Sequence, residues 1–532
     1  MTRAIPARPH LDSDRKRAKA LKKAHAAGEA EALARIAAHH PRFRGLAPEA
    51  VAAGRFRLAD AQLVVAREYG VESWPRWVAL GRFLRADLAE RARLFVEAAV
   101  GERPERAHDL LAHAPELAVA SLEAAYAAGD AAAAARWLAR DPEAATRADG
   151  PLGAPALWTL CWSGLHAGAG PVEAARAQVA KDLLRAGAEA GATAERDSSW
   201  GRHRFTALYG AVHRNRPALV KELLEAGATP DDGESLYHAS EHADGRCLAH
   251  LLAHGATLSG SNALNRALDQ LALGPLRALL EAGADPAERG PRGQDALHTA
   301  ALRGRGRDAL ELLVRHGAPL AARDAAGRTA FEIATRLGHA ETAAHLRELG
   351  AHAALGARDR FVGACARGGG DEARALLAGG EVALPALDPD DLAALPRAAE
   401  YGRSGAARLM LDLGFPLEAE GGDWRGTALN HAAHAGHPEL VALLLERGAD
   451  PERENEHGGT AFGALAWSSR NGDGNDSFRP GRSEARRQAD LAACADLLAA
   501  AGARILPRHL ANATPPVAEA LRRHGAGDAG GG

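Results

Sequence analysis

Histidines supply the first candidates for chemistry. His431, His434 and His437 stand three apart in TALNHAAHAGHPELVALLLERGADP, Thr427 to Pro451, a pattern that reads as zinc only if three imidazoles converge on one point. An ideal helix sets His431 and His434 about 60° apart and turns His437 about 120° from His431. Gly436, moreover, is placed to end the helix before His437. His238 with His242, and His250 with His254, are i, i+4 pairs that could hold a metal between adjacent helices. Asn471, Asp473, Asn475 and Asp476 suggest calcium, but the order of an EF-hand and its closing glutamate are absent. The chain holds no Gly-rich phosphate loop, no Gly-x-Ser-x-Gly and no His-Glu-x-x-His. The expectation is a chain with no catalytic residue, no metal site and no cofactor.

The elements that carry these side chains follow from composition. Of 532 residues 47% are hydrophobic but only 4% aromatic, and the apolar content is mostly Ala and Leu. That mixture favours short helices packed closely through small side chains, an all-α fold. Net charge is −3, so no global field draws in nucleic acid or an anionic membrane. The basic run RKRAKALKK, Arg15 to Lys23, is the one local exception, and it reads as a solvated helix face before it reads as a nucleic-acid contact. Cys161, Cys247, Cys365 and Cys494 lack any paired spacing and suit a reducing compartment. No apolar run is long enough for a signal or a membrane span, so a soluble, cytoplasmic protein is expected.

The histidine stretch is one copy of a repeat. Apolar anchors recur at Leu21, Leu94, Leu122, Leu157, Leu208, Leu236, Leu264, Leu297, Phe331, Phe361, Leu395, Leu429 and Phe462. From Leu208 the spacings are 28, 28, 33, 34, 30, 34, 34 and 33, and glycine stands seven residues after nine of the thirteen anchors. The other four positions hold Asn215, Ala243, Leu271 and Ser469. Each closing helix runs into Gly-Ala or its like, as in LLERGADP, where glycine can take the left-handed conformation. Thr206, Thr329, Thr427 and Thr460 are placed as N-caps of the opening helices.

GRTAFEIATRLGHAETAAHLRELGA and GTALNHAAHAGHPELVALLLERGADP carry a Gly-x-Thr start, an Ala-rich first helix, a Gly-His turn and a Leu-rich second helix. In this the sequence resembles the ankyrin-repeat family. Alanine replaces the family's proline throughout Thr-Pro-Leu-His, and only Leu297-His298 keeps the Leu-His pair. The resemblance implies an all-α ankyrin solenoid of about 12–13 helix-turn-helix units with short β-hairpin or turn fingers. It also makes His437 the histidine of the Gly-His turn, so the spacing of three is that of the repeat.

The expected organisation is a flexible basic N-terminus over 1–20, a helical capping region with one repeat-like unit over 21–93, the array over 94–525 and a Gly-rich tail over 526–532. Within the capping region Asp60 and Ser73 are expected N-caps, and Trp74 and Trp77 share a helix. A similar segment precedes ankyrin arrays in some bacterial proteins. The 28-residue spacings are too short for projecting fingers, whereas insertions fall near 165–205 and 467–490, the second read as a polar loop.

The family binds proteins through its fingers and the ends of its first helices, five and six residues after each anchor here. That implies an unidentified protein partner, with no small-molecule substrate, nucleic acid or membrane expected. The implied contact residues are Trp162, Arg214, Arg303, Arg336, Arg367, Tyr401 and Trp467, with Trp424, and Trp200, reaching in from turn segments. Trp, Tyr and Arg are the types enriched at binding hot spots, and Arg303, Arg336 and Tyr401 are expected to be largely exposed. Packing against neighbouring units is the alternative for Trp158, Trp162 and Trp467. An enzyme using a pair such as His238 and His242, or nucleic-acid binding through the basic N-terminus, is the alternative function.

Overall fold

Short Ala- and Leu-rich segments bounded by Thr caps and glycine turns fold as antiparallel helix pairs. In a computed structural model, residues 3–6, 9–101, 104–148, 150, 152–165, 170–198, 201–270, 272–422, 424–471 and 482–525 are described. Ala207–His213 with Pro217–Glu225, Ala330–Arg336 with Ala340–Glu348, and Ala428–Ala435 with Pro438–Glu446 are typical pairs. In each the anchor is the second helical residue and is buried. Thr206, Thr329 and Thr427 accept from the amides of Tyr209, Glu332 and Asn430 at 2.9, 3.3 and 3.3 Å, and Thr460 from that of Gly463 at 3.5 Å.

The turn within each pair is fixed from the next unit. Gly402 has φ +66°, and a Cβ there would stand 2.6 Å from Cε1 of His437, so both backbone and space demand glycine. The residue after that glycine reaches back. His437 Nε2 donates to Glu400 O at 3.0 Å, Arg403 to Ala366 O at 3.3 Å, and Arg305 to Asp269 O at 3.5 Å. Each carbonyl ends a first helix and has no intrahelical donor. The family's turn histidine is thus replaced by arginine in several units, with the same role.

The chain forms two compact units, Met1–Thr257 and Leu258–Gly532. In the first, the segment expected to be a flexible arm is helical from Leu11: Leu11–Ala26 buries Leu11, Asp14, Ala18 and Leu21. Its apolar stripe meets Leu33, Ile36 and Val64 in one core, and Lys16, Lys19, Lys22 and Lys23 are left on its exposed face. Trp77 is wholly buried, stacks on Tyr69 at 4.1 Å and donates through Nε1 to Asp14 at 3.1 Å. Arg17 closes this cluster, bridging Asp14 at 2.8 Å and Glu68 at 2.6 Å. Trp77 and Phe83 also share a core with Phe95 of Leu88–Val100, the helix that opens the repeats. Ser73 caps its helix as expected, accepting from Arg76 N at 3.4 Å. Asp60 does not; it lies at the third helical position and accepts from Arg57 N at 2.6 Å. The Leu94 unit is also out of register, since Leu94 is half-buried while Phe95 and Val96 beside it are buried.

The two insertions carry regular structure, which for the second replaces the expected loop. Near 165–205 the helix Gly170–Arg185 leads to an antiparallel hairpin, β1 (Thr193–Ser198) with β2 (Gly201–Thr206). Trp200 lies outside the described residues. Over 467–490 only 472–481, with Asp473, Asn475 and Asp476, lie outside them. The flanks are helical instead of loop: Ala461–Asn471 runs on, and Glu484–Ala500 starts early, capped by Ser483. Arg487, Gln488 and Asp490 are buried there, with Arg487 Nη1 donating to Ser468 O at 3.0 Å. No strand lies among the described residues between Pro217–Glu225 and Ala263–Asp269, in keeping with the short spacings. The pair Pro507–Asn512 and Pro515–Arg523 closes the second unit, and the tail 526–532 lies outside the described residues.

Candidate partner-binding groove

The ends of the first helices form a row in each unit, and the structure sorts its residues. In the first unit the row is packed. Trp162 is 1% exposed, its Nε1 donates to Thr206 O at 3.0 Å, and Tyr209 meets its ring edge-on at 5.3 Å. Trp158 is buried beside it. Arg214 donates to Trp162 O at 3.2 Å and Gly101 O at 3.0 Å, so it fastens units together. For Trp162 the packing alternative holds, because the β1–β2 hairpin carries Phe205 and Thr206 over its ring.

In the second unit the row divides. Arg336 is 5% exposed, correcting its expected exposure: it donates to Asp359 at 2.7 Å and Asp391 at 2.6 Å and lies 3.5 Å from Asp390. Arg303 is paired with Asp269 at 2.7 Å, and Tyr401 donates to Leu302 O at 2.9 Å with its ring against His339. Arg367 is exposed and pairs with Glu372. Trp424, His434 and Trp467 are brought together, the His434 ring lying 5.6 Å from Trp424 and 5.8 Å from Trp467. Trp467 is 42% exposed, and no other Trp or Phe among the described residues is exposed.

Farther along the same unit an open cleft of about 510 Å³ lies between two turn segments and the first helices. Leu302, Ile333 and Leu337 give it an apolar base, and Arg292, Arg328, Arg336 and Arg397 line it with Asp324 and Asp390. Sequence reasoning found only Arg336 of these four arginines. Arg292 and Arg328 occupy the turn segments, and Arg397 lies two residues after its anchor, off the expected row. Burial works against ionising Asp390, and Arg328 and Arg397 outweigh it, so its carboxyl is held below the usual range.

The candidate metal ligands are engaged separately. His431 Nε2 lies 3.0 Å from Gly421 O, His437 Nε2 3.0 Å from Glu400 O, and His242 Nε2 2.8 Å from Val212 O. His238 lies between Glu234 and Glu241, and His254 Nδ1 closes its own helix on His250 O at 2.8 Å. Among the described residues no three His, Cys, Asp or Glu side chains are grouped to hold a metal.

Burial instead sets a pH dependence. It pushes His339 down to about 3, with Arg403 adding to the effect, and His434 and His509 down to about 4. The unfolded chain protonates such rings near pH 6.5 while the folded one resists, so stability is lost as pH falls from about 6.5 toward 4. His298 acts in the opposite sense: burial opposes its charge, but Asp295 at 2.6 Å outweighs that and raises it. Burial lowers His213, His39 and His250 as well, so six depressed rings against one predict a net loss, on the order of 1 kcal/mol for each of His339, His434 and His509 between pH 7 and 5. Thermal melts across that range check this, and His434→Gln should flatten the slope; a melting temperature constant from pH 7 to 5 would show that the rings protonate freely.

Residues 270–356 and 362–468 match the family described as ankyrin repeats, three copies. These residues are ankyrin repeats, and repeats of this kind form protein-interaction domains. Among solved structures it is similar to the human ASB11 ankyrin repeat domain, 24% identical, covering 46% of this chain and 99% of that one with a TM-score of 0.21. It is also similar to EF0377, an ankyrin repeat protein, 26% identical, covering 32% of this chain and 92% of that one with a TM-score of 0.28. No curated protein matches the chain. No helix among the described residues is long and apolar enough to cross a membrane.

Proposed function

We propose that the chain is a non-catalytic interaction protein whose second unit, 258–532, binds a protein partner along the row of first-helix ends. Trp467 is the observation that carries this. A tryptophan 42% exposed forgoes part of the roughly 1.5–3 kcal/mol that fully burying a large apolar side chain is worth, and this one is held by ring stacking on His434 in the position where the family makes contacts. Trp424 lies 5.6 Å from the same His434 ring and enlarges the aromatic face. The four cysteines are free and buried, which suits a cytoplasmic setting.

Trp467→Ala should weaken partner binding by about 2 kcal/mol or more, as expected of a central aromatic contact, while changing stability by less than about 1 kcal/mol because the ring is exposed. Affinity capture from the native cell with wild-type and substituted full-length chains, quantified by titration, gives the comparison. Equal capture by both folded proteins would remove Trp467 from the interface and this reading with it.

A further inference from the structure

The arginine cleft is built differently from the ion pairs elsewhere on the surface. Its lining carries four guanidinium groups against two carboxylates. Asp324 is committed to its own turn, accepting from Ala326 N at 3.0 Å and Arg328 N at 2.9 Å. Asp390 is shared: it pairs with Arg328, lies 3.5 Å from Arg336 and 3.9 Å from Arg397. Arg397 is consequently left short. Among the described residues its guanidinium makes no hydrogen bond, and its contact with Asp390 at 3.9 Å is too long for one. A group with five donors, 31% exposed, faces an open cleft whose base is apolar.

We propose that this cleft takes a carboxylate-bearing segment of a protein partner, an Asp or Glu side chain next to an apolar one, with Arg397 and Arg292 as the groups that hold the carboxylate. The inference rests on the second unit being the binding face and adds the chemistry of what enters it. A planar carboxylate can receive two parallel bonds from one guanidinium; with Arg336 already held by Asp359 and Asp391, Arg292, Arg328 and Arg397 exceed Asp324 and Asp390 by one charge, which one carboxylate offsets. Leu302, Ile333 and Leu337 accept the neighbouring apolar side chain. A nucleic-acid backbone is disfavoured because its successive phosphates would pass beside Asp390 and Asp324. A phosphorylated side chain would bring about two charges to the same place, so it is tested as a separate outcome.

The test is fluorescence anisotropy on the full-length chain with a labelled decapeptide of alternating Glu and Leu, its Gln-for-Glu counterpart and its phosphoserine-for-Glu counterpart. The Glu peptide should bind, more weakly as salt is raised, and the Gln peptide should bind at least about 10-fold more weakly. Arg397→Gln and Arg292→Gln should each lose about 10-fold for the Glu peptide at an unchanged melting temperature, because neither side chain is buried. Arg374→Gln, on the exposed surface of Gly370–Ala378, should lose nothing. A Glu peptide that fails to bind wild type, binds no better than the Gln peptide, or is held equally by Arg397→Gln overturns the proposal. Tighter binding of the phosphoserine peptide overturns it in favour of a phosphopeptide site. Capture that depends on Trp467 alongside failed peptide arms would sink only the carboxylate chemistry. Arg397-dependent peptide binding alongside capture indifferent to Trp467 would sink the aromatic contact and leave the cleft.

Discussion

Arg336→Ala should destabilise the second unit by about 3–5 kcal/mol, the usual result of removing one partner from a buried ion pair. The guanidinium is almost wholly enclosed and serves Asp359 at 2.7 Å and Asp391 at 2.6 Å. Asp391 is completely buried, so without Arg336 its Oδ1 loses that bond while Arg358, 2.7 Å from Oδ2, remains. Such a retained neighbour favours the lower end of the range. Urea denaturation measures the change, and a double-mutant cycle with Asp391→Ala separates the pair from the loss of either side chain. An unchanged midpoint would mean that Arg336 is open to solvent and returns it to the set of contact residues. As the structure stands, a binding defect in this variant would report lost stability and not a lost contact.

Trp162→Ala should cost the first unit about 3–5 kcal/mol, the range for deleting a buried aromatic side chain. The indole is 1% exposed, donates to Thr206 O, meets Tyr209 edge-on and has the Arg196 guanidinium 4.6 Å from its ring centre. Gly210 touches it so closely that a Cβ there would stand 2.6 Å from the indole Cδ1, which leaves little slack for the cavity to close. Trp162→Phe should recover part of the loss, since it restores ring volume without the hydrogen bond. Circular dichroism melts of the full chain suffice. Wild-type stability in Trp162→Ala would place the ring at the surface, among the contact residues.

These two side chains show where the sequence was readable and where it stopped. Trp162, Arg336 and Trp467 all stand five residues after an anchor, so periodicity assigns them the same place on the same kind of helix. What surrounds that place comes from other parts of the chain: the β1–β2 hairpin over Trp162, three aspartates around Arg336, and the His434 ring against Trp467. One therefore supports the core, one a charge network, and one stays exposed. Arg397, off the row, entered the cleft unannounced because its relation to Arg292 and Arg328 spans more than sixty residues.

By itself the sequence determined the helix pairs, their Thr caps, their glycine turns and the reading of His437 as part of a repeat, because each depends on backbone preference and on neighbours a few residues away. The basic run was legible as charge but not as a helix whose other face is buried, since Leu11 and Ala18 acquire their meaning only against Leu33, Ile36 and Val64, Trp77 and Phe95. Tertiary structure alone decided which residues of the row are exposed and which arginines gather in a cleft. Burial and ion pairing are set by the segments that close over a side chain, and those segments lie far away in the sequence.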